Sequence, residues 1–276
     1  MSRLILVGCG PGRSGADTLV RALGCHPDVS DRPPLPPALL SAAVDMLQFG
    51  AADADSYLPR RAAQAFVAFH DRLAAYGPNG RRSADRLREL CGSDDIYIPV
   101  YGHLLLPGSH PAVWWAASIR AALVDAVTTD RTTVAVGKIG AGICAAAASL
   151  LSQDDVFVFV VRHPATLLHT LTESTTDGML PCEATEYLSY AFRHVRSLLG
   201  GVRAHVVAVR LEDLCVAPHA LLPSLAKAAG LASEEADISR WAEGVSHVLP
   251  NDVHLPAAGP RPLDRALQQL AEEWGY

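Results

Sequence analysis

Leu4–Val29 reads LILVGCGPGRSGADTLVRALGCHPDV, and this stretch decides the fold. A short apolar run, Leu4–Val7, enters a loop carrying Gly8, Gly10, Gly12 and Gly15. An apolar-periodic helix over Ala16–Leu23 follows, with Leu19, Val20 and Leu23 on one face. A strand, a glycine loop and a helix N-terminus make an anion site, because unpaired backbone N–H groups and the helix dipole converge there. Gly10 and Gly15 keep the G-x-x-x-x-G spacing of an NTPase phosphate loop, but Ala16 and Asp17 replace the required Lys and Ser/Thr. The loop's cation is Arg13, ahead of the last glycine. That arrangement does not suit an ATPase.

The same residues resemble the loop of the sulfotransferase family, roughly P-[RK]-S-G-T-T, an apolar helix and then H-P-D-V. The match runs through Arg13-Ser14-Gly15 and Leu19 to His26-Pro27-Asp28-Val29. DDVFVFVVRHPATLLHTL (Asp154–Leu171) is similar to the family's 3′-phosphate segment, a buried strand ending in R-[DN]-P. Thr170 falls eight residues after Arg162, where that segment usually carries Ser. VVAVRLEDLCVAPHALLPSLAKAAGL (Val206–Leu231) resembles the R-Y-E-D-L strand–turn–helix, and the chain ends in Trp274-Gly275-Tyr276, a familiar tail. The resemblance spans nearly the whole chain and implies a donor, 3′-phosphoadenosine 5′-phosphosulfate.

Short β-branched runs without alternation read as buried parallel strands: Leu4–Val7, Thr133–Val136, Val156–Val161 and His205–Val209. Helices are expected at Leu39–Phe49, Arg61–Tyr76, Gly142–Leu151, Ala184–Leu199, Ala220–Ala229 and Leu263–Trp274. The alternation predicts a single α/β domain over residues 1–276, a three-layer sandwich with a central parallel sheet. Residues from about 31 to 131 interrupt it. This stretch opens on the proline-rich DRPPLPP, a bland linker, and includes the arginine-rich GRRSADRLREL. It reads as a helical insertion that caps the acceptor side.

Half of the 276 residues are hydrophobic, enough for a sizeable core, and the net charge of −6 argues against nucleic-acid binding. Six scattered cysteines without a C-x-x-C pair read as reduced thiols. No basic-then-apolar leader and no apolar run of about 18 residues is seen, so a cytoplasmic protein without a membrane span is expected. Many animal relatives in this family are Golgi proteins with a membrane anchor, which implies a bacterial-type enzyme here. No cluster of His, Asp or Glu has metal-ligand spacing, so no metal is expected.

The resemblance assigns roles residue by residue. Gly12, Arg13, Ser14 and Gly15, continuing into Ala16, Asp17 and Thr18, would hold the 5′-phosphosulfate; Arg162 and Thr170 would hold the 3′-phosphate. Lys138, one of only two lysines, closes the apolar run VAVGK and would neutralise charge on the bridging oxygen as its bond breaks.

Three departures stand against the family pattern. Ala16-Asp17 replaces the paired Thr and sets a carboxylate beside an anion, unless Asp17 caps the helix and points away. Gly140 stands where cytosolic-type members carry a catalytic His two residues beyond the lysine. Pro33-Pro34 falls where members with H-P-D-V place a catalytic Glu. Asp31, beside that empty position, and His103, in the inserted region, are the substitute bases. The expected activity is sulfuryl transfer to a hydroxyl or amine of a small molecule, possible natural products included. Two alternatives stay open: a non-catalytic binder of a nucleotide or anionic metabolite, and a transferase using another phosphorylated donor.

Overall fold

The computed structural model describes residues 2–9, 15–30, 33–50, 59–92, 94–98, 102–106, 110–129, 132–140, 144–173, 178–199, 204–231, 234–248, 265–273 and 275. Numbered in chain order, four strands form the main sheet: β1 (Arg3–Cys9), β4 (Val134–Ile139), β5 (Val156–Val161) and β6 (His205–Arg210). Their spatial order is β4-β1-β5-β6 and every pairing is parallel. All four expected strands are present, with bounds moved by one to three residues at three of them.

Strand alternation splits the core in two, because successive side chains point to opposite faces. Leu4 and Leu6 join Ala135, Ile139, Phe157, Phe159 and Val161 in one cluster. Ile5 and Val7 join Val134, Val136, Val156, Val158 and Val160 in the other. The first face packs against helices that include α2 (Pro37–Gly50), α3 (Pro59–Ala75), α4 (Pro78–Cys91), α5 (Ala112–Val127) and α8 (Pro181–Leu199). The second packs against α1 (Ala16–Gly24), α9 (Leu211–Val216), α10 (Pro218–Ala229) and α11 (Glu235–Val248). The chain is therefore an α/β sandwich of three layers. Each fully buried aliphatic or aromatic side chain contributes roughly 1.5–3 kcal/mol, which explains why β5 is apolar on both faces.

Proline and glycine set the helix limits. Helix α10 begins on Pro218 and stops at Gly230, whose φ of 61° ends the helix in the left-handed region. Helix α4 repeats the arrangement with Pro78 and Gly92. The helices α6 (Cys144–Ala148), α7 (Pro164–Thr172) and α12 (Arg265–Glu273) complete the set among the described residues.

Two parts of the inserted stretch differ from expectation. Between residues 31 and 131 the chain is not wholly helical: β2 (Asp94–Ile98) pairs antiparallel with β3 (Gly102–Leu106). The proline-rich run is also no free linker where it is described. Ser30 N–H donates to the Val134 carbonyl at 3.0 Å and Leu35 N–H to that of Val136 at 2.8 Å, so the chain runs alongside β4. Leu35 is fully buried there.

The amino edge of the sheet is locked by Asp155, just before β5. Its buried carboxylate accepts from Arg120 Nε and Nη2 at 2.5 Å each, from Leu4 N–H at 2.8 Å and from Ser152 N–H at 2.7 Å. Burial alone pushes that carboxyl up, but the bonds from Arg120, Ser152 and Leu4 outweigh it and hold it below the usual carboxylate range.

Candidate functional site

The chain leaves central β1, returns as β4 on one side, and then crosses to β5 on the other. That reversal creates a crevice at the carboxyl ends of the strands, where ligands of open α/β sheets bind. Lys138, near the end of β4, lies in register with Val7 of β1. Arg162 follows the last residue of β5 directly. The order of the strands thus brings two of the expected cationic residues to one edge.

Gly15 joins the loop to α1 and cannot be another residue without cost. Its φ is 93°, and a Cβ placed there would lie 2.5 Å from Cδ2 of Leu211 at the start of α9. The glycine brings the N-terminus of α1 against the end of β6. Gly15, the N-cap of α1, has no side chain to cap the first turn.

Asp17 lies in that first turn but is not a cap. Its Oδ2 accepts from Lys138 Nζ at 2.6 Å. Of the two placements the sequence left open, a cap turned away is not the one seen: opposite charge draws the carboxylate to the lysine on the adjoining strand. Asp17 is 72% exposed and Lys138 27%, so the pair stands in solvent at the mouth of the crevice. Thr18, the hydroxyl next to it, is buried.

Around Arg162 the contacts come from α7 and α9. His163 caps α7 by accepting Ala165 N–H at Nδ1, 3.1 Å away, and its backbone N–H donates to Glu212 Oε1 at 2.9 Å. Burial lowers the His163 pKa, with Glu212 opposing, which favours the neutral ring that an accepting Nδ1 requires. The Cys215 thiol is pushed up by burial and by Glu212, while Arg162 pulls it down. Arg162, Glu212 and Cys215 therefore share one electrostatic environment at the carboxyl edge. Arg210 extends it, bonding Asp213 at 2.7 Å and the Gly275 carbonyl at 2.5 Å.

Thr170 lies on α7, one of the helices beside Arg162. Its hydroxyl donates to the Thr166 carbonyl one turn earlier at 2.7 Å, a bond within its own helix that competes with any outside acceptor. His26 is a structural residue: it is buried, stacks edge-on against Trp241 at 4.9 Å, and receives Asp28 N–H at Nδ1. The Asp28 carbonyl then accepts Thr133 and Val134 N–H, which ties the H-P-D-V segment to β4.

Gly12, Arg13, Ser14 and Asp31 lie outside the described residues, as do Trp274 and Tyr276. His103 is described by its backbone, on β3 opposite Tyr97. Spacing gave no sign of Glu212 as the partner of the Arg162 turn, although it lies in the R-L-E-D-L run. Nor did it single out the Asp17–Lys138 pair.

The overall fold has counterparts among solved structures. The sulfotransferase domain from the Synechococcus PCC 7002 olefin synthase superposes with a TM-score of 0.52 at 18% identity, covering 100% of this chain and 95% of that one. The sulfotransferase domain from the curacin biosynthetic pathway gives 0.51 at 15% identity, over 100% and 98% of the two chains. This chain has the sulfotransferase fold. No family model and no curated protein sequence matches it.

Within the sulfotransferase fold, the carboxyl edge described above carries two cationic residues at the ends of the two strands that flank β1. Lys138 and Arg162 approach it from two strands, and the N-terminus of α1 adds its dipole. Among the described residues no group of His, Cys, Asp and Glu is arranged to hold a metal ion, and no helix is long and apolar enough to cross a membrane.

Proposed function

We propose that the chain is a cytoplasmic sulfotransferase that moves a sulfuryl group from 3′-phosphoadenosine 5′-phosphosulfate to a hydroxyl or amine of a small molecule. The observation that carries this reading is the sulfotransferase fold itself, with Lys138 near the end of β4 and Arg162 just past β5 at one edge of its sheet. In the reaction, the acceptor atom bonds to sulfur while the bond from sulfur to the bridging oxygen breaks. Adenosine 3′,5′-bisphosphate leaves. Positioning and charge stabilisation supply most of the catalysis in such transfers, as for phosphoryl groups.

The chain's own residues divide that work. Arg13, Ser14 and the backbone N–H groups from Gly12 to Thr18 hold the 5′ end, and Arg162 holds the 3′-phosphate, with Thr170 beside it once its hydroxyl rotates from Thr166. Lys138 offsets the charge that grows on the bridging oxygen. Asp31 or His103 takes the proton of the acceptor. Both structural neighbours carry the names of biosynthetic systems, which supports a natural product as the acceptor.

A non-catalytic binder of a nucleotide or anionic metabolite is the second reading. It is favoured by Asp17, whose carboxylate already satisfies Lys138. Calorimetry with adenosine 3′,5′-bisphosphate tests the donor site, and an acceptor-dependent turnover assay then separates enzyme from binder. Absence of bisphosphate binding overturns the sulfotransferase reading. Binding without turnover over a broad panel of phenols, alcohols and amines leaves the binder.

A further inference from the structure

A polar cleft of about 590 Å³ opens at the amino edge of the sheet, the edge opposite Lys138 and Arg162. Asn79, Arg82, Ser83 and Arg86 line it from α4, facing Asp125 and Thr129. The four α4 residues are spaced i, i+3, i+4 and i+7, so one helix face presents them together. Ser2, just ahead of β1, closes one side. A seven-residue strand separates this cleft from the carboxyl edge by roughly 20 Å.

Every lining residue is polar, so the cleft does not select an apolar ligand. Two guanidinium groups face one carboxylate, which leaves excess positive charge. The Arg86–Asp125 pair is loose at 3.7 Å, with both side chains more than half exposed, so a better acceptor displaces it readily. Arg82 is exposed and makes no bond to another described residue. Ser83 also lines the cleft; the residue is only 7% exposed, yet its hydroxyl is not a buried atom lacking a partner, so it meets solvent there.

We propose that this cleft is a second ligand site, for a phosphate monoester of a polyhydroxylated small molecule. Arg82 and Arg86 grip the phosphate, since planar guanidinium forks match its oxygens. Ser83, Asn79 and Thr129 meet the hydroxyls. The volume suits a small metabolite. The assignment is independent of the sulfuryl-transfer reading.

Calorimetry of the full chain with glucose 6-phosphate, inorganic phosphate and glucose tests it. Glucose 6-phosphate binds at least tenfold more tightly than either fragment. The double variant Arg82→Ala/Arg86→Ala weakens that binding at least tenfold, and Ser83→Ala weakens it severalfold. Asp125→Asn tightens it, because a competing carboxylate is gone. No binding of glucose 6-phosphate by the intact chain, or equal affinity in the double variant, overturns the proposal. Equal affinity for inorganic phosphate and glucose 6-phosphate overturns it too.

Discussion

Lys138 and Asp17 stand 121 residues apart in sequence and meet at 2.6 Å across the mouth of the crevice. The contact exists because β4 lies beside β1, so the end of one strand looks onto the helix that follows the other. An anionic donor must compete with Asp17 for the same ammonium group. Asp17→Thr is expected to tighten adenosine 3′,5′-bisphosphate binding severalfold, read by calorimetry. Its effect on stability stays under about 1 kcal/mol, because the pair is solvent-exposed. Weaker binding in that variant would show that Asp17 serves the ligand rather than competing with it.

Lys138 itself separates the enzyme from the binder. Lys138→Met should lower turnover by roughly 10²–10³-fold, the range for losing one group that stabilises developing charge. Folding is expected to survive, since the side chain is partly exposed and its partner is at the surface. A variant that keeps full turnover removes Lys138 from the chemistry.

At the opposite edge, Asp155 and Arg120 predict a pH dependence. The Asp155 carboxyl is held below its usual range in the folded chain, so the unfolded chain binds the proton more tightly. The stabilisation is therefore present above the unfolded pKa of about 3.9 and is lost as pH falls through the folded value. Asp155→Ala leaves Arg120 partly buried without its partner and should cost about 3–5 kcal/mol at neutral pH. Urea denaturation at pH 7 and at pH 3 checks both. The gap between wild type and variant should narrow at the lower pH.

What the sequence made legible follows from burial. Val156–Val161 is apolar on both faces because helices cover both, and such a run announces a central parallel strand. Helix ends at Pro218 and Gly230 carry their own punctuation. Helix α5 was hidden because AVWWAASIRAALVDAV is apolar nearly all round, which blurs the helical period. The β2–β3 pair was hidden because its five-residue strands are too short to alternate convincingly. Among site residues, Lys138 and Arg162 were legible as strand-end cations. Their neighbours Asp17 and Glu212 depend on strand order and helix docking, which local spacing does not encode.

Gly15 tests the junction of loop and helix. Gly15→Ala combines a φ of 93° with a Cβ 2.5 Å from Leu211 Cδ2, so strain and overpacking add. A loss of about 1–3 kcal/mol is expected from the backbone alone. Leu211→Ala in the same chain should relieve the clash but not the backbone strain, so thermal denaturation should show partial rescue. Full rescue would mean that the clash was the whole effect.

The general base is the last assignment at risk. Asp31 follows the H-P-D-V segment, whose Val29 and Ser30 are fastened to β4 and whose Pro33–Leu35 continuation returns to it at Val136. Fixed flanks of that kind let a single carboxylate be aimed. A general base contributes roughly 10²–10⁴ in rate, so Asp31→Asn should collapse turnover with bisphosphate affinity unchanged. His103→Ala is the paired control, since that residue sits on β3 in the hairpin of the inserted stretch. Gly140 supplies a third arm. Among the described residues a Cβ there would meet nothing within 4 Å, so a side chain can start from that position. Gly140→His should restore turnover to the Asp31→Asn chain at pH values above the imidazole pKa, where the added ring is unprotonated. If His103→Ala loses activity while Asp31→Asn keeps it, the base comes from the hairpin; if neither change matters, the acceptor ionises unaided.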